Sequence, residues 1–386
     1  LKTVLSTPGK FHTFDLAREL YARDSLAAVF TGYPQFKLKN EGLPQEFINT
    51  FPWLQGPYMA LATKLPLPKK VIKEWENFAT TSFGTFVARN LPECDLYVGL
   101  SGSALPAGEK AHQLGAKFVC DRGSAHIRVQ DQLLREEHEQ WGLPFAGIDP
   151  RAIEREEAEY AEADCITVPS KFSLNSFLEL GVPANKLHLL PYGVNLSRFE
   201  KIAEPDIDRF DILFVGAMSL QKGVQYLVQA YQKLNHASKS LTFVGAQSSE
   251  IITLLKSRGI WSDEIRVLGH MPQHELKNLM SRSHVLALPS IQDGFGMVMA
   301  QAMACGCPVI ASKNTGAQDL FDDGQEGYIV QIRDVDVLTD RLQKLADYPE
   351  QRATMSQQSL ARVQALGGWE DYGDKAMAIY NEALQK

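Results

Sequence analysis

The sequence predicts an α/β protein made of two Rossmann-like, doubly wound parallel sheets in series. Three observations carry that expectation. The chain has 386 residues, more than one average hydrophobic core serves. Its C-terminal half alternates short β-branched runs with helical stretches, the pattern of a parallel sheet covered on both faces. A segment of turn formers and charge near residue 200 separates that half from an N-terminal half that alternates in the same way, less cleanly.

In the first half, strands are expected near 2–6, 25–31, 95–100, 117–121, 165–168 and 187–190. The loop Thr7-Pro8-Gly9-Lys10-Phe11-His12 follows the first of them and leads into a helical pattern from Thr13 to Tyr21. The stretch 47–67 is aromatic and apolar, with Trp53 and Tyr58, but is broken by prolines. It reads as a long loop packed on its own domain, or as a lid or membrane-surface contact. Pro191-Tyr192-Gly193-Val194-Asn195 and the charged run after it form the linker. In the second half, strands at 211–215, 241–244, 265–268, 285–288 and 308–311 alternate with helices at 222–235, 248–258, 273–282 and 297–305. Residues 368–386 are helical by pattern. The domains are therefore expected at 1–200 and 201–367, with 368–386 as a terminal helix.

Composition bounds the function. With 45% hydrophobic and 22% charged residues the chain is ordinary globular material, and its net charge of −7 argues against nonspecific nucleic-acid binding. No run of 18 apolar residues exists, and the chain opens without a charged and then apolar leader, so a cytoplasmic protein is expected. The five cysteines lack zinc or redox spacing and read as reduced. The acidic run 154–162 has the spacing of a solvated helix face, and no His/Cys cluster marks a metal site. Metal independence and the absence of any cofactor are expected.

The most informative stretch is 284–312. It reads as a buried strand, a loop with Asp293, Gly294, Phe295 and Gly296, a helix carrying Gln301, a Gly306-Cys307-Pro308 stop and a second buried strand. A glycine-rich turn feeding a helix N-terminus is an anion site, because unpaired N–H groups and the positive helix end face the ligand. Any βαβ unit also needs turn glycines, so the loop alone leaves a structural reading open.

The stretch resembles the donor-sugar signature of glycosyltransferase family 4, retaining enzymes of the GT-B fold. The family pattern is Glu-Gly-Phe-Gly with a second Glu eight positions after the first. Here those positions hold Asp293 and Gln301. The segment Gly216-Ala217-Met218-Ser219-Leu220-Gln221-Lys222-Gly223 is similar to the family's Val-Gly-Arg-x4-Lys-Gly, with Lys222 at the lysine and Ala217 at the arginine. The resemblance implies a GT-B fold with residues 1–200 as the acceptor domain and 201–367 as the nucleotide-sugar donor domain, and a terminal helix, 368–386, that crosses back to the first domain. It further implies a nucleotide-sugar donor, a carbohydrate or lipid-linked acceptor, and retained anomeric configuration.

Carried onto this chain, it makes Lys222 and the amides of Gly294 to Gly296 the holders of the diphosphate. Lys10 or Arg122 would compensate for the arginine missing at Ala217. Asp293 would lie against the donor sugar, and Gln301 would hold the ribose through neutral hydrogen bonds. Gly9 and Gly216 would bring backbone close to the donor, and Gly269-His270-Met271 would face the base. His126, after the strand at 117–121, matches the family's histidine near the reacting centre. Each has a plainer reading: Lys222 a solvated lysine, Asp293 a helix N-cap, Gln301 a surface residue, Gly9 a turn glycine, His126 a structural histidine. Two other functions fit the residues: a nucleotide-sugar epimerase of the same fold, and a noncatalytic sugar-nucleotide binding protein.

Overall fold

A computed structural model describes residues 1–61, 67–196 and 198–385. Residues 62–66 of the proline-broken stretch and residue 197 of the linker lie outside the described residues. The first sheet has seven strands: β1 (Thr3–Thr7), β2 (Leu26–Thr31), β3 (Ile48–Thr50), β4 (Leu96–Leu100), β5 (Lys117–Asp121), β6 (Cys165–Val168) and β7 (Leu187–Leu189). The second has six: β8 (Phe210–Val215), β9 (Lys239–Val244), β10 (Arg266–Val267), β11 (Val285–Leu288), β12 (Val309–Ser312) and β13 (Gly327–Val330). Every pairing in both sheets is parallel. The two-sheet α/β architecture expected from the sequence is the one observed.

Strand order decides where ligands can bind. The first sheet runs β3-β2-β1-β4-β5-β6-β7 and the second β10-β9-β8-β11-β12-β13. In each, the chain reverses its direction of winding between two central strands, β1 and β4 in the first and β8 and β11 in the second. Helices on either side of such a reversal diverge, and a crevice opens beyond the strand ends. The loops entering the two crevices therefore follow β1, β4, β8 and β11. Those four strands are almost wholly buried, as strands covered on both faces must be.

Several elements were not legible. The stretch 47–67 contains the short edge strand β3 and then a helix, Pro52–Leu61, which carries Pro57 inside it. The prolines that suggested a loop stand at the helix start, where an N–H has no partner anyway, and one turn later. The strand β13, opened by Gly327, also went unread; its Gly327 packs so tightly on β12 that a Cβ there would lie 2.1 Å from the Val309 carbonyl oxygen.

The halves are joined by a returning helix and by a docked one. The helix Trp369–Gln385 returns to the first sheet, where Tyr372, Ala376, Tyr380 and Ala383 join Leu5, Phe14 and Leu20 in one apolar cluster. This return crosses the linker so closely that a Cβ on Gly193 would sit 2.5 Å from the Gly368 carbonyl oxygen. On another side, the helix Ile127–Trp141 of the first half docks on the second. Its Glu137 is fully buried and accepts hydrogen bonds from Gln225 Nε2 (2.6 Å), the Tyr226 hydroxyl (2.6 Å) and Arg333 Nε (2.8 Å). Trp141 lies beside it, donating to the Tyr226 oxygen at 3.2 Å under the Arg258 guanidinium, 4.6 Å from the ring centre.

Removing the Glu137 carboxylate leaves a cation and two polar donors facing one another in a dry contact. Glu137→Ala is expected to destabilise the protein by about 3–5 kcal/mol, and Glu137→Gln by less, as read from urea unfolding.

Candidate active site

The reversal of winding in the second sheet sets the loops after β8 and β11 side by side. Ser219 caps the turn after β8, its hydroxyl accepting from the Lys222 amide at 3.3 Å. Gly223 then takes a left-handed φ of +69° to start the helix Val224–Lys233. A Cβ on Gly223 would be 1.9 Å from the Pro289 carbonyl oxygen, so only glycine lets the two loops close. That contact delivers Lys222 Nζ to Asp293 Oδ2 at 2.5 Å. Asp293 is held from behind by its own amide, which donates to the Asn314 carbonyl at 2.9 Å.

Neither residue takes its plainer role. The N-cap of the helix Met297–Ala304 is Gly296, at φ +76°, and Asp293 caps nothing; Lys222 is ion-paired rather than solvated. Gln301 is half-buried on that helix. Phe295 is only 3% exposed, its ring edge-on to Tyr192 at 5.3 Å and pressed against Gly316, so it works as a wedge under the loop. Gly216 and Gly269 pack around Gly245, whose amide donates to the Gly269 carbonyl at 2.7 Å. His270 is exposed and Met271 half-buried, two residues before Gln273.

The two domains touch at this loop. A Cβ on Gly294 would fall 1.9 Å from the Gly123 carbonyl oxygen, and the Gly294 carbonyl accepts from Ser170 Oγ at 2.6 Å and Ser173 Oγ at 3.3 Å. Gln292 Nε2 also donates to Ser124 Oγ. The glycine loop thus serves as a contact between domains as well as a potential anion cradle.

Beside this contact lies a cavity of about 690 Å³, lined from the first domain by the loop after β1, by Ser101 and by Arg122-Gly123-Ser124. Gln273 and Met297 line it from the second domain, and Tyr192 and Arg198 from the linker. Its cationic lining, Lys10, Arg18, Arg122 and Arg198, exceeds its two carboxylates, Asp15 and Glu41. Burial pushes the Asp15 carboxyl above its ordinary range, with Arg18 opposing the rise.

The sequence did not single out the pair at its floor. His12 Nε2 and Asp121 Oδ2 lie 2.6 Å apart, both nearly buried, and Thr167 Oγ1 donates to the other Asp121 oxygen at 3.0 Å. The His12 ring lies 4.2 Å from that of Tyr192, whose hydroxyl is buried without a hydrogen-bond partner. The one available signal was position: His12 follows β1 and Asp121 ends β5, both at strand ends facing the crevice.

The structure corrects several placements. His126 does not line the cleft cavity. It is the N-cap of the helix Ile127–Trp141, its Nδ1 accepting from the Arg128 amide at 3.2 Å, with its ring packed between Tyr160 and Phe177. Arg122 and Lys10 do line the cavity, yet each already has a carboxylate: Arg122 Nη1 lies 2.7 Å from Glu156, and Lys10 pairs with Glu41. Arg198 and Arg18, which the sequence did not suggest, stand in the same cavity. Gly9 is buried, and its carbonyl accepts from Thr31 Oγ1 at 3.0 Å, which fixes the loop that presents Lys10 and His12.

Two facing parallel-sheet domains with this cleft define the GT-B architecture. Over nearly the whole chain it superposes on the Anabaena protein HepE, solved with UDP and glucose, at a TM-score of 0.73 and 17% identity, covering 99% of this chain and 100% of that one. Sucrose-phosphate synthase from Thermosynechococcus elongatus gives a TM-score of 0.73 at 22% identity, covering 99% of each. Residues 197–362 match the family model for glycosyl transferases group 1, the region that carries the motifs of the resemblance. D-inositol 3-phosphate glycosyltransferase 1 of Catenulispora acidiphila is 26% identical over 258 residues, 61% of each chain. The alpha-D-kanosaminyltransferase of Streptomyces kanamyceticus is 27% identical over 179 residues, 45% of this chain and 46% of its own. The match therefore spans less than two thirds of these relatives' length.

Burial holds the His126 imidazole down to about 4, well below its ordinary 6.5. It stays neutral in the fold while the unfolded chain takes up a proton below pH 6.5, so its stability contribution is full above that pH and lost as pH falls toward 4. His126→Asn keeps an N-cap and removes this proton uptake. The expected result is a smaller drop in melting temperature between pH 7.5 and pH 5, with turnover at pH 7 retained. Gly294→Ala is expected to hold the domains apart and lower turnover by about 10²-fold, with an increased radius of gyration in solution scattering.

Proposed function

We propose that the protein is a retaining, metal-independent hexosyltransferase of family 4. It moves a sugar from a nucleotide-sugar donor to a hydroxyl of a carbohydrate or lipid-linked carbohydrate acceptor, in glycan, polysaccharide or glycolipid synthesis. The observation that carries the reading is the Lys222–Asp293 pair on the glycine loop at the reversal of the second sheet, beside a cavity with more cations than carboxylates.

In this reading the donor diphosphate takes Lys222 and the amides of Gly294 to Gly296, where the helix Met297–Ala304 begins. Lys222 exchanges part of its contact with Asp293 for the phosphate, and Asp293 turns toward the sugar. The bond from the anomeric carbon to the phosphate oxygen breaks, its electron pair leaving with the diphosphate. The acceptor oxygen bonds to the same face of that carbon, and its proton passes to the departing phosphate oxygen. Charge grows on the leaving group as the bond lengthens, so fixed positive groups there lower the barrier most. Gln301 takes the ribose, and His12, oriented by Asp121, lines the cavity near the reacting centre. No cofactor enters the scheme.

The acceptor side has an apolar flank. Trp53 is 76% exposed and Phe36 67%, and with Pro57 and Leu61 they line a surface hollow next to Lys37. Among the described residues no helix is long and apolar enough to cross a membrane. This flank is assigned to peripheral contact with an anionic lipid surface. Co-sedimentation with phosphatidylglycerol vesicles is expected for the protein and lost in Trp53→Ser; absence of binding by the unaltered protein removes the membrane assignment.

The reading is tested by melting shifts with UDP, GDP and ADP and their sugar forms, followed by release of nucleoside diphosphate from the sugar that binds. Lys222→Ala is expected to lower turnover by roughly 10²–10³, and turnover near that of the unaltered protein refutes the role of Lys222. Binding without transfer or hydrolysis favours a noncatalytic protein, and an altered sugar formed without acceptor favours an epimerase.

A further inference from the structure

We propose that Arg198, on the linker between the domains, is a second phosphate-binding cation of the cleft and covers the charge on the donor diphosphate that Lys222 leaves unmatched. The inference rests on the transferase reading above and adds to it a residue outside both loops that carry that reading.

The charge balance at the glycine loop sets the requirement. A nucleotide sugar carries a negative charge on each of its phosphates. The loop from Gly216 to Gly223 offers one cation, Lys222, and the loop from Pro289 to Gly296 offers none. Lys222 is itself ion-paired with Asp293, so the two loops together carry no net positive charge. The amides at the start of the helix Met297–Ala304 add only partial charge, roughly half a unit. A diphosphate that leaves with growing charge therefore needs a further fixed cation from another part of the chain.

The cleft cavity is lined by Lys10, Arg18, Arg122 and Arg198. The first three are committed elsewhere. Lys10 pairs with Glu41, and Arg18 is divided between Asp15 and Glu41. Arg122 pairs with Glu156 at 2.7 Å and donates to the Ala125 carbonyl (3.1 Å), Ser101 Oγ (3.1 Å) and Gln130 Oε1 (2.8 Å). Arg198 is exposed, and among the described residues its side chain has neither an ion pair nor a hydrogen bond. Asp15 is near enough to feel its charge but is paired with Arg18 instead.

Position favours the same residue. Arg198 lines one cavity with Met297, the first residue of the helix at whose start the diphosphate is placed. Its backbone is fixed while its side chain is free. The Arg198 amide donates to the Asn195 carbonyl at 3.1 Å, and the next residue, Phe199, is 3% exposed in the core of the second domain. A guanidinium on such an anchor can grip two phosphate oxygens at once, and no existing ion pair has to break first.

The test is calorimetric binding of UDP, GDP and ADP and of their parent nucleosides, followed by turnover of the sugar form that binds. Arg198→Ala is expected to weaken nucleoside diphosphate binding about tenfold or more and to leave nucleoside binding unchanged. The melting temperature should stay the same, because the side chain is exposed and unpaired. Turnover should fall by about 10²-fold. Ala217 is exposed on the loop that carries Lys222, so an arginine there faces the same anion from the second domain. Adding Ala217→Arg to Arg198→Ala is expected to restore about tenfold of the lost diphosphate binding, which a merely structural role for Arg198 does not allow. Diphosphate binding and turnover that Arg198→Ala leaves unchanged overturn the role of Arg198 while the transferase reading stands. A loss shared equally by nucleoside and diphosphate, and not restored by Ala217→Arg, does the same. Diphosphate binding that depends on Arg198, without transfer or hydrolysis of any sugar form, upholds Arg198 and overturns the transferase reading. No binding of any nucleoside diphosphate by the unaltered protein overturns both.

Discussion

The arrangement depends on backbone meeting backbone between the domains. Gly294 and Gly123 approach so closely that no side chain fits between them, and Gly193 and Gly368 do the same where the two connections cross. Such contacts fix distance more tightly than side-chain packing, because a backbone has no rotamers with which to adjust. The first holds the glycine loop against the first domain, and the second pins the linker to the chain that returns across it. Glu137, buried among Gln225, Tyr226 and Arg333, supplies a polar counterpart in which every partner must be present for any to be satisfied.

Within that frame the chemistry follows from topology. Winding reversal in each sheet puts two loops next to each other that lie far apart in sequence. Lys222 and Asp293 meet because β8 and β11 are neighbours, and His12 reaches Asp121 because β1 and β5 flank β4. Arg122, paired with Glu156, lines both the cleft cavity and the one beside it, so the two share a wall.

Much of this could be read in the sequence, for stated reasons. Buried parallel strands such as Val285-Leu286-Ala287-Leu288 are unbroken apolar runs, and the glycines after them mark the turn into the next helix. Helices with a single apolar stripe, such as Gln273–Arg282, were placed to the residue. What escaped notice depended on long-range pairing. The prolines of Pro52–Leu61 concealed a helix that is stabilised by its packing on Lys69–Asn90 rather than by propensity. His126 stands one short turn from the cleft, and only the local cap geometry sends its ring toward Tyr160 and Phe177 instead. The partners that neutralise Lys10 and Arg122, Glu41 and Glu156, are 31 and 34 residues away in sequence, and nothing local announces them.

The returning helix has a consequence for the order in which the molecule is made. Tyr372 and Tyr380 close the same apolar cluster that Leu5 and Phe14 begin. On the ribosome the first sheet emerges before the second domain, yet part of one of its faces stays uncovered until the returning helix has been synthesised. The second domain can complete its own core before that moment. The domain that starts first is therefore finished last, and for that interval its exposed apolar face is the part of the nascent chain most in need of a chaperone.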